Sequence, residues 1–214
     1  MKIIIITELI LILILTSCLN QSVVELDSAQ IREYKGERLD SLNDFFENSI
    51  LGPQVIDEIG YSLKITGLVK NNLDLSYTDV LENFQNYKKV VTLYCVEGWD
   101  VKILWEGVLV KDILNKVKPI DDADTVIFYA KDGYTTSLPL AYLVENDILL
   151  AYKMNNVTLP EERGFPFQLV AEDKWGYKWI KWVTEIEVSN DSSYKGYWER
   201  RGFSNSANLD EDFR

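Results

Sequence analysis

The residues of this chain that are able to take part in chemistry are few, and they centre on one cysteine. The sequence has no histidine and only two cysteines. It therefore lacks Ser-His-Asp and Cys-His catalytic sets, His-ligated zinc and haem, and all-cysteine metal sites. Cys95 closes the apolar run 90–95 and precedes Val96-Glu97-Gly98-Trp99, where a strand opens into a glycine-containing loop of the kind that holds ligands. The residues alone leave two interpretations open, a small buried hydrophobe or a reactive or metal-binding thiol.

The elements that must position Cys95 are predicted to be strands with a few short helices. Apolar runs, alternating or rich in β-branched residues, predict strands at 61–68, 73–75, 90–95, 126–130, 134–138, 148–152, 167–171 and 184–188. A capping box at Ser76 and Asp79 predicts a helix with Val80, Leu81, Phe84 and Tyr87 on one face. Further short helices are predicted at 110–117, before Pro119, and at 139–145. The fold class is therefore α+β, with a mixed β-sheet core and short helices.

Two turns are predicted between these strands. Lys131-Asp132-Gly133 joins two alternating runs, and the Asp-Gly pair favours a type I′ turn with positive φ at both central residues. A second turn is predicted at Asn155-Asn156. The 214 residues, of which 47% are hydrophobic, suffice for one compact domain with a sizeable core.

The first 40 residues predict export and membrane attachment. The apolar run from Ile3 to Leu15 is shorter than the ~20 residues of a spanning helix and fits a secretory signal peptide. Leu15-Thr16-Ser17-Cys18 resembles a lipobox, which predicts that residues 1–18 end at a lipidated Cys18; Glu8 within the run counts against this. A signal anchor or a plain signal peptide is the alternative. Residues 19–40 are polar and predict a tether, and residues 41–214 form the domain.

The net charge narrows the range of partners. With 22 Lys and Arg against 34 Asp and Glu, the formal net charge is −12. A surface this acidic repels phosphate backbones, so we expect no nucleic-acid partner. It also avoids anionic headgroups, so the lipid itself would hold the domain at the extracytoplasmic face of the cell membrane.

Several sequence blocks resemble the oxidoreductase molybdopterin-binding domain of the sulfite oxidase type. They are LYCVEGW at 93–99, WEGV at 105–108, DGYTTSL at 132–138, LLAYKMN at 149–155, RGFPFQLV at 163–170, GYKWIKW at 176–182 and GYWERRGF at 196–203. The nearer branch contains the catalytic subunit of periplasmic methionine-sulfoxide reductase. The blocks keep the family's order and spacing, and the resemblance implies a sulfite oxidase-type fold.

The resemblance also implies a cofactor and the residues that hold it. The cofactor is molybdenum bound by a pterin dithiolene, by oxo groups and by one protein thiolate; tungsten remains an alternative metal. Cys95 takes the thiolate position as metal ligand and catalytic residue, which suits a soft sulfur that loses its proton to a metal. The other cofactor-binding residues implied are Asn48 near the metal, Ser137 or Thr136 as a hydroxyl, Arg163, Gln168, and Trp179, Ile180 and Lys181 at the pterin phosphate and ring.

The chain departs from the family pattern at three positions. Arg163 stands where relatives carry His or Asn, and Gln168 stands where they carry an arginine. We expect Arg163 to compensate for the lost arginine, and Gly164 to let the backbone approach the ligand; a weakened site is the alternative. Glu97, close behind Cys95, would repel an oxyanion, so sulfite is a poor substrate.

Three functions are compatible with these features. The first is a lipid-anchored molybdopterin oxidoreductase that transfers an oxygen atom, or carries out related two-electron chemistry, on a small molecule with a separate electron-transfer partner. The second is a non-catalytic relative that has lost the cofactor and acts as a binding module. The third is a structural lipoprotein domain. Fold analogy alone does not decide between them.

Overall fold

The computed structural model describes residues 30–214, and within this range strands alternate with short helices. The helices are α1 (Tyr77–Asn83), α2 (Val110–Val117) and α3 (Leu140–Glu145), with short 3-10 helices at Leu42–Asp44, Glu161–Arg163, Gly176–Lys178 and Glu199–Arg201. The strands are β1 (Glu33–Tyr34), β2 (Glu37–Arg38), β3 (Leu63–Gly67), β4 (Leu73–Leu75), β5 (Asn86–Tyr94), β6 (Asp100–Leu109), β7 (Thr125–Ala130), β8 (Thr135–Pro139), β9 (Leu149–Met154), β10 (Val157–Thr158), β11 (Gln168–Val170) and β12 (Val183–Ser189).

Two larger sheets carry the domain, and a small β1–β2 hairpin precedes them. The first sheet has the order β10-β9-β6-β5, with β11 also paired to β9, and all its pairs are antiparallel. The second has the order β4-β3-β12-β7-β8, in which β12 is parallel to β3 and antiparallel to β7. Parallel and antiparallel pairs therefore coexist, and the predicted α+β class with a mixed sheet core is confirmed.

One hydrophobic cluster contains residues from both sheets and from the helices between them. Its largest fully buried members include Trp105 of β6 and Phe128 of β7. Helix α2 buries Val110, Ile113, Leu114 and Val117 on one face. It ends at Lys118, whose φ of 57° lies in the left-handed region, directly before Pro119. The cores of the two sheets are thus continuous, and this continuity fixes the ends of their strands relative to one another.

Most predicted elements are present, with two differences in the first sheet. The capping box of α1 is formed, since the Ser76 and Asp79 side chains each accept a hydrogen bond from the other's backbone N–H. Tyr87, predicted on the helical face, instead lies in β5, because the helix ends at Asn83. Strand β6 has no counterpart among the predicted strands. Its burial on both faces gives a nearly continuous apolar run rather than an alternation.

The predicted type I′ turn at Lys131-Asp132-Gly133 is wrong. Only Gly133 has a positive φ in that loop, and its N–H donates to Ala130 O at 3.1 Å. The Asp132 carboxylate accepts from Tyr134 N–H at 2.9 Å, which fixes a three-residue loop instead of a two-residue one. The predicted turn at Asn155-Asn156 is present. There both residues have positive φ, 47° and 69°, as a type I′ turn requires.

The predictions for the N-terminal 40 residues fall partly outside the described structure, which begins at residue 30. The signal peptide 1–18, the lipidated Cys18 and the first part of the tether lie outside the described residues. The rest of the predicted tether packs on the domain: Ile31 N–H donates to Asn155 O, Asp40 N–H donates to Lys102 O, and Leu39 is buried. Residues 31–40 therefore contact the domain, and the predicted boundary at 41 stays a prediction. Within residues 30–214, no helix combines the length and apolar character needed to cross a membrane.

Candidate active site

A cleft of about 480 Å³ opens where the loop between β5 and β6 meets three other segments. Those segments are residues 45–50, residues 176–182, and the chain from Trp198 onward. Seven of the eight predicted metal- and cofactor-site residues line this cleft, and Ser137 is the exception. The seven are Asn48, Cys95, Arg163, Gln168, Trp179, Ile180 and Lys181.

The thiol of Cys95 sits in a tight loop that the sheet holds in place. Cys95 N–H donates to Trp99 O at 2.9 Å, and Gly98 N–H donates to Cys95 O at 3.1 Å. The side chain is half-buried. Burial raises the pKa of the Cys95 thiol and the charge of Glu97 adds to this, while hydrogen bonds from the backbone and from Asn48 act in the opposite direction. The thiol is therefore protonated at neutral pH, and a metal that binds it must displace that proton.

Asn48 and Glu97 form a polar cluster beside this thiol. Asn48 Nδ2 lies 3.8 Å from Cys95 Sγ and donates to Glu97 Oε2 at 3.1 Å. Trp99 Nε1 donates to the same carboxylate oxygen at 3.3 Å. Two donors thus fix a carboxylate at the reactive end of the cleft. Asn48, which the resemblance places near the metal, thus lies beside the Cys95 thiol.

Gly176 packs closely against the backbone of the loop that carries the Cys95 thiol. A Cβ added at Gly176 would lie 3.1 Å from Tyr94 O and 3.6 Å from the Cα of Cys95. A larger residue at 176 would push the loop away, so the segment that carries Trp179 and Lys181 is packed directly against the thiol loop.

Arg163 contributes a buried cation to the cleft. It is 9% exposed, its guanidinium lies 4.8 Å from the centre of the Phe45 ring, and its Nη2 donates to Phe45 O at 3.1 Å. Burial lowers its pKa, and the charges of Glu162 and Glu47 raise it. Nε of Arg163 is buried without a partner in the described part of the chain, and so is Oγ of Ser49, which lines the same cleft. Two unsatisfied polar atoms in one cleft indicate that a ligand belongs there.

Lys181 is the second cation, and it faces the same segment. Its Nζ pairs with Glu47 Oε1 at 3.0 Å, donates to Glu162 O at 3.2 Å, and lies 4.3 Å from the Trp182 ring centre. Burial lowers the pKa of Lys181, and the carboxylate of Glu47 raises it. Residues 45–48, here called the strap, therefore contact Arg163, Lys181 and Cys95 together.

Gln168, Trp179 and Ile180 form the buried floor between these charged groups. All three are at most 4% exposed, and Trp179 donates from Nε1 to Lys174 O at 3.0 Å.

The contacts of Gly164 differ from those expected from the sequence. With a φ of 103°, it packs where a Cβ would lie 3.1 Å from the Cβ of Lys181 and 3.2 Å from that of Gln168. The absence of a side chain at Gly164 therefore lets Lys181 and Gln168 pack closely against its backbone.

Ser137 does not line the cleft, and its predicted contact with the cofactor stays a prediction. Its Oγ donates to Tyr194 O at 3.3 Å. Thr136, the alternative, donates from Oγ1 to Glu199 Oε1 at 2.7 Å. Both hydroxyls are directed at the chain after residue 190, because the edge strand β8 is covered by that segment. From the same hairpin, Asp132 and Tyr134 line the cleft instead.

Lys178 points away from the cleft into the protein. Its Nζ pairs with Glu199 Oε1 at 2.6 Å and donates to Ser137 O at 2.9 Å, and both charged side chains have no exposed surface. Burial lowers the pKa of Lys178, and the carboxylate of Glu199 raises it. The Lys178–Glu199 ion pair therefore connects the chain near residue 199 to the segment that carries Trp179.

The cleft also contains residues that the sequence did not single out. Phe45 and Phe46 flank Trp99, with ring centres 6.0 and 5.8 Å away. Trp198, Phe203, Phe213 and Arg214 also line the cleft. The Phe-Phe pair two residues before Asn48 was a usable signal, since it adjoins a predicted site residue. No sequence pattern indicated Phe213 and Arg214, because only the folded chain brings them to the cleft.

A single thiol, a buried arginine and a partly buried lysine line one cleft together with the buried floor of Gln168, Trp179 and Ile180. This combination suits a large, anionic redox cofactor. The sequence profile of the family described as oxidoreductase molybdopterin binding domain matches residues 51–198. The chain belongs to this family, and it is a molybdopterin-dependent oxidoreductase whose cofactor is molybdenum-molybdopterin.

Known proteins similar to this chain agree with that assignment. The chain is 34% identical to the uncharacterized oxidoreductase YuiH of Bacillus subtilis, over 71% of this chain and 76% of that protein. It is 33% identical to a protein provisionally named protein-methionine-sulfoxide reductase subunit YedZ1 of Azospira oryzae, over 70% of this chain and 56% of the other. Human mitochondrial sulfite oxidase is 31% identical over 76% of this chain and 35% of its own length. The predicted family is therefore confirmed.

A solved structure shows the same fold. The sulfane dehydrogenase SoxCD from Paracoccus pantotrophus superposes with a TM-score of 0.64 and 20% identity, over 70% of this chain and 42% of that chain. The predicted sulfite oxidase-type fold is confirmed. The cleft residues fit the family's cofactor, since a soft thiolate suits molybdenum and the unpartnered Nε of Arg163 suits an anionic group.

Proposed function

We propose that this chain is an extracytoplasmic enzyme that transfers an oxygen atom, or carries out related two-electron chemistry, on a small molecule, with Cys95 as the protein ligand of the metal. The observation that supports this most is the position of Cys95. Its half-buried thiol lies in a cleft with Asn48 Nδ2 at 3.8 Å and with Arg163 and Lys181 in the same lining.

Each group of the cleft then has a definite role. Cys95 holds the metal, Arg163 and Lys181 bind the pterin phosphate, and Gln168, Trp179 and Ile180 pack against the pterin. The bound cofactor supplies the two-electron redox centre that adds or removes an oxygen atom. The buried floor excludes water from the pterin side and leaves the side near Glu97 open to substrate.

Glu97 narrows the substrate to molecules that bring no negative charge to the thiol. Its carboxylate is fixed by Asn48 and Trp99 at the reactive end of the cleft, where it repels an oxyanion such as sulfite. A neutral S-oxide or N-oxide meets no such repulsion. Reduction of a sulfoxide takes two electrons and two protons and releases the sulfide and water, and a separate electron-transfer partner would supply the electrons.

The proposal is tested on protein purified from a host that makes the cofactor. Metal and pterin analysis is expected to give about one molybdenum and one pterin per chain. With a reduced dye as electron donor, methyl phenyl sulfoxide should be turned over, while sulfite with an oxidised dye should not. Rapid sulfite oxidation contradicts the substrate class. Folded protein without metal and pterin contradicts the enzyme and supports a binding module.

The phosphate role of the two cations gives a prediction for cofactor retention. Arg163→Ala and Lys181→Ala should each lose about tenfold or more in cofactor affinity, because one charge-assisted hydrogen bond contributes about 1.5–3 kcal/mol. Gln168→Arg should retain cofactor at least as well as the wild type, since it adds a cation to the same lining. Pterin released by denaturation and quantified per chain measures the effect.

Matched controls separate this effect from general damage. Lys111→Ala removes a lysine that pairs with Asp147 at the surface, away from the cleft lining, and it should purify fully loaded. A fully loaded Arg163→Ala protein would show that Arg163 does not compensate for Gln168.

The proposed location of the enzyme rests on its N-terminal sequence. We expect the mature chain to begin at a lipidated Cys18, at the extracytoplasmic face of the cell membrane. In detergent-phase partitioning, the wild type should enter the detergent phase and Cys18→Ala should remain in the aqueous phase, because an acidic domain has little membrane affinity of its own. If the variant still partitions into detergent, an uncleaved anchor holds the protein instead.

A further inference from the structure

One side of the cleft is built by the chain after residue 197 and has no role in the function proposed above. We call it the C-terminal wall and define it as Trp198, Phe203, Phe213 and Arg214, all of which line the cleft. The ring centres of Trp198 and Phe203 are 5.0 Å apart, and those of Phe203 and Phe213 are 5.9 Å apart and stacked. The guanidinium of Arg214 lies 4.8 Å from the centre of the Phe203 ring.

The wall is fixed to the domain by contacts at its base. Phe203 N–H donates to Trp198 O at 3.2 Å, and Ser204 N–H donates to Phe213 O at 2.9 Å. Trp175 N–H donates to Ala207 O at 2.9 Å, and the Trp175 ring meets Phe213 edge-on at 5.4 Å. The aromatic surface is therefore formed in advance of any ligand, which lowers the entropic cost of binding.

Trp198 and Arg214 of the wall are available to contact a ligand. Trp198 is 37% exposed although it lies in a cleft, so its ring is available for stacking. Among residues 30–214, the guanidinium of Arg214 has no ion pair. An arginine that faces a cleft beside free aromatic surface suits a planar group with a carboxylate, which the guanidinium can bind through two parallel hydrogen bonds.

Two side chains of opposite charge in the cleft lining give such a ligand one orientation. Glu97 holds a negative charge beside the thiol, and Arg214 holds a positive charge at the wall. A ligand with one neutral and one anionic end would place its neutral end toward Cys95 and its anionic end toward Arg214. Phe203, Phe213 and Arg214 lie beyond the residues matched by the family profile, which end at 198.

We propose that the C-terminal wall binds the non-reacting part of the substrate, a planar apolar group that carries a carboxylate, and so selects aryl carboxylates with a neutral oxygen-bearing group at the other end. This proposal rests on the function proposed above, because it assigns the reacting end to the metal at Cys95. It adds Trp198 and Arg214 as residues that determine specificity.

The test compares two probes of the same shape that differ in charge, 4-(methylsulfinyl)benzoate and its neutral amide. Binding to cofactor-loaded full-length protein is measured by calorimetry, with pterin content quantified for every variant. The wild type should bind the benzoate about tenfold more tightly than the amide, the effect of one charge-assisted contact. Arg214→Gln should abolish that preference, and Trp198→Ala should weaken both probes. The control Arg200→Gln, an exposed arginine outside the cleft lining, should behave as the wild type.

Three results would overturn the proposal: equal binding of both probes by the wild type, an unchanged preference in Arg214→Gln, or loss of pterin from the wall variants with unchanged probe affinity. The last would assign the wall to the cofactor. Binding preference without sulfoxide turnover would instead refute the proposed chemistry and leave the binding site standing. Turnover of methyl phenyl sulfoxide without any preference for the benzoate would refute the proposed binding site and leave the proposed chemistry standing.

Discussion

Cys95→Ser is expected to abolish turnover while the domain stays folded. The substitution replaces a soft thiolate with a hard alcohol of nearly the same shape, and an alcohol is a poor ligand for this metal. The backbone bonds of the loop, from Cys95 N–H to Trp99 O and from Gly98 N–H to Cys95 O, do not involve the side chain. The geometry of the loop should therefore survive, and only the metal contact should be lost.

Three measurements on Cys95→Ser separate ligation from folding. The rate with a sulfoxide substrate should fall to background, and the sulfur-to-metal charge-transfer absorption should disappear. The midpoint of thermal unfolding of cofactor-free protein should stay within a few degrees of the wild type, since a conservative change at a half-buried site costs little. A variant that keeps full metal content and turnover would remove Cys95 from the mechanism.

Lys178→Met should cause the largest loss of stability of any charge substitution in residues 30–214. It leaves the Glu199 carboxylate fully buried without its cation, and breaking such a pair costs about 3–5 kcal/mol. Thr136 Oγ1 still donates to that carboxylate, but one neutral donor does not replace a charge. Denaturant unfolding of cofactor-free protein gives the free energy directly.

Two controls define what that loss means. Lys111→Met breaks the surface pair with Asp147 and should cost at most about 1 kcal/mol, because exposed pairs are solvated and screened. The double variant with Lys178→Met and Glu199→Leu removes both buried charges and should recover most of the lost stability. A single variant as stable as the wild type would contradict the stabilising role assigned to this buried ion pair.

Local patterns in the sequence predicted the elements that have local causes. The capping box at Ser76 sets the start of α1, and the alternation in 61–68 gives β3. The thiol was identifiable as well, because Cys95 combines a strand end, a loop and the absence of any histidine. Lys181 followed from the family pattern and Arg163 from a departure from that pattern, and the structure brings both to the same cleft.

Contacts between distant segments explain what local patterns did not predict. Ser137 was expected at the cofactor, yet its direction depends on Tyr194, 57 residues away in the chain. The strap at 45–48 has no regular secondary structure, so no periodicity marks it, although it contacts both cations. Strand β6 is buried on both faces, and its sequence therefore lacks the regular alternation that identifies a half-buried strand.

The strap has a further consequence for how the cleft opens. It is held by the Phe45 and Phe46 carbonyls on Arg163, by the ion pair from Glu47 to Lys181, and by Asn48 beside the thiol. Segments anchored by a few contacts at the surface open locally at a free energy well below that of global unfolding. Because these contacts are adjacent in sequence, one excursion of the backbone uncovers both cations and the thiol together. Amide hydrogen exchange in residues 45–48 is thus a direct reporter of how often the cofactor cleft is accessible.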